Sequence, residues 1–272
     1  MNDIFSALPQ LGQLLVGYIT LIGVCSLRLF IVMFIFPPTA DGLLQGVVRN
    51  AIVLLFSSYV AYGQPASFIE SLHGVALLEI GLREGTIGLV IGYAASIVFW
   101  VAEGAGTYID DLTGYNSLQI INPTRQEQST PTATLLGQVA TVAFWALGGM
   151  TYLLGTLYES YHWWPIASTG LNVSNMLESF VLQQTDTLMQ TIAKLAAPMM
   201  LILLLIDFAF GFAAKSASKL DLMTLSQPVK GAVTVLMLAL FVGVFVDQVR
   251  EQVTVAGLAA QFRALTHAPG KP

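Results

Sequence analysis

The sequence predicts an all-α chain of about six apolar helices arranged as hairpins, and three observations carry that prediction. Hydrophobic residues make up 55% of the 272 positions, and only 10% are charged. Long stretches run with one charge or none, at lengths suited to helices and not to strands. Turn residues such as Pro37-Pro38 and Asp41-Gly42 punctuate them. An average soluble domain carries about 25% charged residues, so 11 Lys+Arg and 16 Asp+Glu could not cover the surface of an ordinary soluble monomer. The chain belongs in a membrane or inside a larger assembly. A net charge of −5 offers no basic surface for nucleic acid. The single cysteine, Cys25, lies within an apolar run, which excludes a disulfide framework.

The first apolar segment, residues 11–36, contains only Arg28. The N-terminal residues before it include Asp3 and no Lys or Arg, so the segment is expected to remain as an anchor and not to act as a signal peptide. Pro37-Pro38 and Asp41-Gly42 mark its end and predict a tight connection to the second segment, residues 47–62, which holds Arg49. The third and fourth segments, residues 86–102 and 133–158, carry no charge. The fifth, residues 188–214, holds Lys194 and Asp207; the sixth, residues 229–246, holds Lys230 near its start. A bilayer core takes about 20 helical residues. Three segments exceed that length, and the others lie near or below the lower limit of about 17. Segments one and two, and five and six, are expected to pair as hairpins. Beyond residue 246, Val249, Val253, Leu258 and Phe262 predict a short amphipathic helix.

Charge sets an expected orientation. Residues 215–230 hold three Lys against one Asp and should be cytoplasmic; residues 159–187 hold three acids and no Lys or Arg and should be external. Counting back through six spans puts residues 103–132 in the cytoplasm, although Glu103, Asp110, Asp111 and Glu127 outweigh Arg125 there. Either one segment does not cross, or this acidic stretch sits inside the structure; the second reading is adopted. Tyr158, Tyr161, Trp163 and Trp164 precede Pro165 and fit a membrane-interface anchor or core packing equally well.

Catalytic chemistry finds little support. His73, His162 and His267 lie far apart, without metal-ligand spacing. Gly104-Ala-Gly106 lacks the third glycine and the strand of a dinucleotide site. Asp110 and Asp111 are neighbours, but consecutive helical residues point about 100° apart. The chain is therefore read as a non-enzyme, with no cofactor. Two other features carry physical weight. Gly81, Gly85, Gly88 and Gly92 fall on one helical face and predict close approach of another helix. Arg28 and Asp207 lie deep in apolar segments, where a charge costs about 2.5–3.5 kcal/mol on insertion scales. Lys194 is thirteen residues from Asp207 and on another side of the helix, so both buried charges are expected to find partners on neighbouring chains.

The middle of the chain supplies a more specific signal. Phe99-Trp100, Glu103, Gly106, Ile109-Asp110, Gly114, Asn122-Pro123 and Gln128-Ser129-Thr130-Pro131-Thr132-Ala133 follow one another. Leu135-Leu136, Gln138, Phe144, Gly148-Gly149, Leu157-Tyr158, Ser160-Tyr161 and Pro165 continue the pattern. This block resembles the SctT (YscT, HrcT) family of type III secretion systems, related to flagellar FliR. Arg28, Val48-Arg49-Asn50 and Leu225-Ser226-Gln227-Pro228-Val229-Lys230 agree with it, while Ala217-Ser218 departs from an expected Ala-Pro pair. The resemblance implies an export-gate subunit of the bacterial inner membrane, multi-pass by sequence and partly above the bilayer plane once assembled. Its implied partners are SctR and SctS homologues, with SctU and SctV homologues beside them, and unfolded proteins in transit. It implies an SctR-like part over residues 1–187 and an SctS-like hairpin with a C-terminal tail over residues 188–272. It further implies a plug over residues 106–128, with Gly106, Asp110, Gly114, Asn122 and Pro123 as its positions, and partner contacts at Arg28, Asp207 and Lys230. Phe99-Trp100 and the Ser129–Thr132 run favour the injectisome form over the flagellar one. The competing class is a small-solute secondary transporter, which would show paired broken helices in two halves; no internal repeat is evident.

Overall fold

The computed structural model describes residues 2–40, 42–121, 128–168, 173–216 and 222–253, and it is all-α as expected. The helices are α1 (Asn2–Ile35), α2 (Gly46–Tyr62), α3 (Ala66–Ser71), α4 (Gly74–Thr113), α5 (Pro131–Ala146), α6 (Gly149–Trp163), α7 (Val173–Ser216) and α8 (Leu222–Val253). Short 3-10 turns at Pro37–Thr39 and Tyr115–Ser117 join them, with a minimal antiparallel ladder of β1 (Ile120–Ile121) on β2 (Gln128–Ser129). Among the described residues, four helical stretches are long and apolar enough to cross a membrane: Leu11–Ile35, Gly74–Thr113, Phe180–Lys215 and Leu225–Asp247. The pair α5–α6 reaches that length only as a broken span, and α2 is a shorter apolar helix.

Three elements differ from the sequence reading. The third apolar segment is the middle of the 40-residue α4. The helix runs past that charge-free stretch on both sides, and Glu84 and Asp110 are fully buried inside it and satisfied there. The fourth segment is not one helix. Gly148 adopts a left-handed φ of 72° and ends α5 before α6 begins, a backbone state glycine tolerates without steric cost. Finally, Val249 and Val253 continue α8 instead of starting a separate helix, while Leu258 and Phe262 lie outside the described residues.

The chain divides into two compact units. One contains the described residues up to Ala95 together with Leu154–Val181. Its core gathers Leu21, Val24, Cys25, Ala61, Phe68, Leu72 and Ile166. The glycine stripe of α4 packs on α1 within this unit. A Cβ on Gly88 would sit 2.7 Å from the Arg28 carbonyl oxygen, and one on Gly92 would sit 3.2 Å from the Val32 Cα. Gly81 and Gly85 face Leu27 and Ile31. The helix that the stripe meets is thus α1 of the same chain.

The second unit holds the described residues of Ser96–Leu153 and those from Leu182 to Val253. Ile109, Met199 and Leu203 form a core cluster joined by Leu112, Ile206, Met237 and Leu238. Asp207 of α7 meets Lys230 of α8, while the earlier Leu203 shares this cluster with the later Met237. The two helices therefore run antiparallel, as the hairpin expected of segments five and six. Gly106 lies against the backbone of Ala133, where any Cβ would overlap it. Phe99 and Phe144 meet edge to face at 5.8 Å between ring centroids, a favoured aromatic geometry.

The α1–α4 contact yields a direct test. Overpacking a closed interface costs about 1–3 kcal/mol or more, so Gly88→Leu should lower the thermal midpoint of the chain purified alone in detergent. An unchanged midpoint would show that α1 does not rest on this stripe.

Candidate functional site

Two polar nodes stand out in this apolar chain, one in each unit. In the first, Arg28 and Glu84 are both fully buried and form an ion pair at 2.7 Å. Arg28 Nε donates to Glu84 Oε2 at 2.9 Å, Nη1 to Ser160 Oγ at 2.7 Å, and Nη2 to the Trp164 carbonyl at 3.0 Å. The Tyr161 ring lies 4.0 Å from the guanidinium carbon, and its hydroxyl donates to the Cys25 carbonyl at 3.0 Å. Arg83 donates to the carbonyls of Ile166 and Ser168 and lies 3.4 Å from Glu84 Oε1. A buried charge needs both a counter-ion and hydrogen bonds on its remaining groups, and Arg28 has both.

This corrects the expectation for Arg28. Its partner is Glu84 of its own chain, not a residue of a neighbour. Sequence reading passed over Glu84 because it lies just outside the charge-free run. The available signal was its place beside the glycine stripe, four residues before Gly88 and three after Gly81, which turns it to the same helical face. The aromatic cluster is also decided in part. Trp164 is buried, Tyr161 covers Arg28, and Tyr158 donates to the Phe56 carbonyl at 3.1 Å; these three residues pack inside the unit.

The second node surrounds the connection from α4 to α5. Asp110 is fully buried and accepts from the Thr132 backbone N–H at 2.7 Å and from the Thr132 hydroxyl at 2.5 Å. It thereby caps the first turn of α5, a role that the local residue Thr130 does not fill with its side chain. Because Asp110 lies in the last turn of α4, this one carboxylate ties together both roots of the intervening loop. Gly114 ends α4 with a left-handed φ of 83°. Leu118, Ile120 and Ile121 are exposed beyond it. Of the positions expected in the plug, Gly106 and Asp110 are thus helical and buried, Gly114 is the turn, and Asn122 and Pro123 lie outside the described residues.

Asp207 and Lys230 complete this node. The Lys230 ammonium lies 3.0 Å from Asp207 Oδ1 and donates to the Leu112 carbonyl at 2.6 Å. The expectation of a partner for Asp207 on another chain is corrected in the same way as for Arg28. The fit was missed because Lys230 sits near the start of the last apolar segment, and hairpin register cannot be read from either segment alone. All three carboxylates, at 84, 110 and 207, are engaged in ion pairs or helix capping. Among the described residues no three His, Cys, Asp or Glu side chains converge as a metal site.

Residues 19–255 match the family described as Bacterial export proteins, family 1. The chain belongs to that family. It is 34% identical over 211 residues to the Yop proteins translocation protein T of Yersinia pestis, covering 76% of this chain and 80% of that one. It is 28% identical over 243 residues to the Surface presentation of antigens protein SpaR of Salmonella typhimurium, covering 87% and 89%. The Flagellar biosynthetic protein FliR of Bacillus subtilis is 24% identical over 172 residues, covering 63% and 66%. The family read from the residues is therefore the right one, and the chain is a non-enzymatic membrane protein of a type III or flagellar export apparatus.

Removing one partner of a buried pair costs about 3–5 kcal/mol, whereas replacing both with apolar groups is often neutral. Glu84→Ala should accordingly destabilise the chain strongly in thermal melts, and Arg28→Met with Glu84→Leu should recover most of the loss. Equal melting of Glu84→Ala and the unsubstituted chain would show that the pair does not hold the unit.

Proposed function

We propose that the chain is an export-gate subunit of a type III protein secretion system. It assembles with SctR and SctS homologues into the protein-conducting channel of the bacterial inner membrane, beside SctU and SctV homologues, and passes unfolded proteins. The observation that carries this reading is the connection from α4 to α5. It is rooted at both ends by one buried carboxylate and leads to exposed apolar side chains at Leu118, Ile120 and Ile121. A segment held firmly at its base, with exposed apolar side chains just beyond it, is suited to closing a narrow passage. In this reading Asp110 and Gly114 set the base of the plug and Gly106 lets α4 and α5 approach, while Asn122 and Pro123 are assigned to the plug by the family resemblance alone.

Assembly with other subunits is supported by the surface of the hairpin. Leu201, Leu204, Leu205, Phe208 and Phe212 of α7 are exposed, as are Val235, Leu236 and Leu240 of α8. Apolar faces of that size require lipid or another protein. We assign residues 188–272 to the SctS-like part and residues 1–187 to the SctR-like part. The injectisome form is favoured by the higher identity to the Yersinia translocation protein than to FliR.

Two measurements test the proposal. Co-expression with SctR and SctS homologues should give a complex that survives purification. Deleting residues 115–121 should leave that complex assembled and raise its ion conductance in a planar bilayer. Assembly with wild-type conductance would remove the plug assignment, and solute transport by the chain alone would favour a secondary transporter.

A further inference from the structure

We propose that Lys230 is a positioning residue that latches the end of α4, at the root of its connection to α5, onto α8, and that Asp207 aims it. The proposal rests on the reading of that connection as the closing element of the gate. Three successive contacts place the loop root on one face of α8. Gln227, Lys230 and Gly231 stand at spacings of three and four, which brings them to the same side of a helix. A Cβ on Gly114 would sit 2.8 Å from Gln227 Nε2, so this side chain covers the turn that ends α4. The hydroxyl of Tyr115 occupies the space where a Cβ on Gly231 would project. Between these contacts, Lys230 Nζ donates to the Leu112 carbonyl at 2.6 Å.

That carbonyl lies in the last turn of α4, among the groups that have no donor within their own helix. A lysine ammonium is well suited to it, since a cation also favours the negative end of the helix dipole. Asp207 contributes from the other side, with its carboxylate oxygens 3.0 and 3.3 Å from the same nitrogen. The Lys230 side chain is 9% exposed and the Asp207 side chain 40% exposed. The ammonium is thus enclosed between helix end and carboxylate, whereas the carboxylate is open to its surroundings. A group approaching Asp207 from outside could draw on it and loosen Lys230. The two charges thereby connect the outer face of the hairpin to the base of the loop.

The ion pair alone would explain Lys230 as a structural link between α7 and α8, so the test must separate pairing from capping. Exchanging the charges, Asp207→Lys with Lys230→Asp, retains an ion pair but replaces the donor at the Leu112 carbonyl with an acceptor. Amide hydrogen exchange over residues 114–121 reads the loop root directly in the full chain within its purified complex. Lys230→Met should speed exchange there by about tenfold, the loss of one charge-assisted hydrogen bond, and the exchanged pair should not reverse it. If the exchanged pair restores slow exchange, or if Lys230→Met leaves it unchanged, the latch is overturned. Bilayer conductance of the same complexes reads the gate separately. Faster exchange with higher conductance supports both latch and plug, while faster exchange with unaltered conductance upholds the latch and refutes the plug. Where Lys230→Met fails to assemble, Gly231→Ala serves instead: it displaces Tyr115 without touching either charge, and unchanged exchange would count equally against the docked root.

Discussion

A chain with so few charges can bury them only where each finds a partner, and Arg28 is the position on which this constraint falls hardest. Its guanidinium is fully enclosed, so everything around it must supply acceptors. Glu84 supplies the counter-charge from α4, Ser160 a hydroxyl from α6, and Trp164 a carbonyl just after that helix. Two segments distant in sequence, one in α4 and one at the end of α6, are thereby fixed to one side chain of α1. The glycine stripe is the steric condition for this. Gly88 lets the α4 backbone pass close to the α1 backbone at Arg28 itself, and the pair can then form at hydrogen-bond distance. A larger residue on the stripe would separate the helices and leave two unpaired charges in an apolar interior.

The second unit obeys the same rule with different groups. Here the unmet demands are those of helix ends: the first amides of α5 and the last carbonyls of α4. Asp110 answers the first and Lys230 the second, and each acts from a different element than the one it caps. Local sequence cannot cap these ends well. Thr130 stands at the start of α5 without making the side-chain bond, and α4 has no basic residue in its last turn. Long-range capping makes the ends of α4 and α5 depend on one another and on α8.

The six apolar segments were legible because helical length and absence of charge are local properties, and the family was legible because the block from Phe99 to Pro165 is specific. What could not be read was pairing. Glu84 looked like the edge of an apolar segment because a charge in a sequence carries no mark of being neutralised. Asp110 read as an acidic surplus for the same reason, and α4 is consequently far longer than its charge-free middle. Arg28 and Asp207 stand isolated from opposite charge in the sequence, yet both partners lie within the chain, 56 and 23 residues away. Separation along the chain says nothing about distance once hairpins form. The break at Gly148 was hidden too, since glycine is common within apolar helices and only its positive φ marks a turn here.

Internal pairing changes what the outer surface can do. The buried ionic demands of Arg28 are met inside its unit and those of Lys230 inside its own. The exposed stretches of α7 and α8 are left almost wholly apolar, at Leu201 to Phe212 and Val235 to Val244. A neighbour docking on such a face receives no instruction from charge, so its register must come from shape. Gly211 and Gly243 have open space where a side chain would project, which provides such shape by letting another backbone come near. Asp207 is the exception on this surface, a half-exposed carboxylate whose cation is enclosed behind it. It is the single point at which contact on the apolar face could be felt electrostatically at the base of the loop, and that asymmetry separates a latch from an inert structural pair.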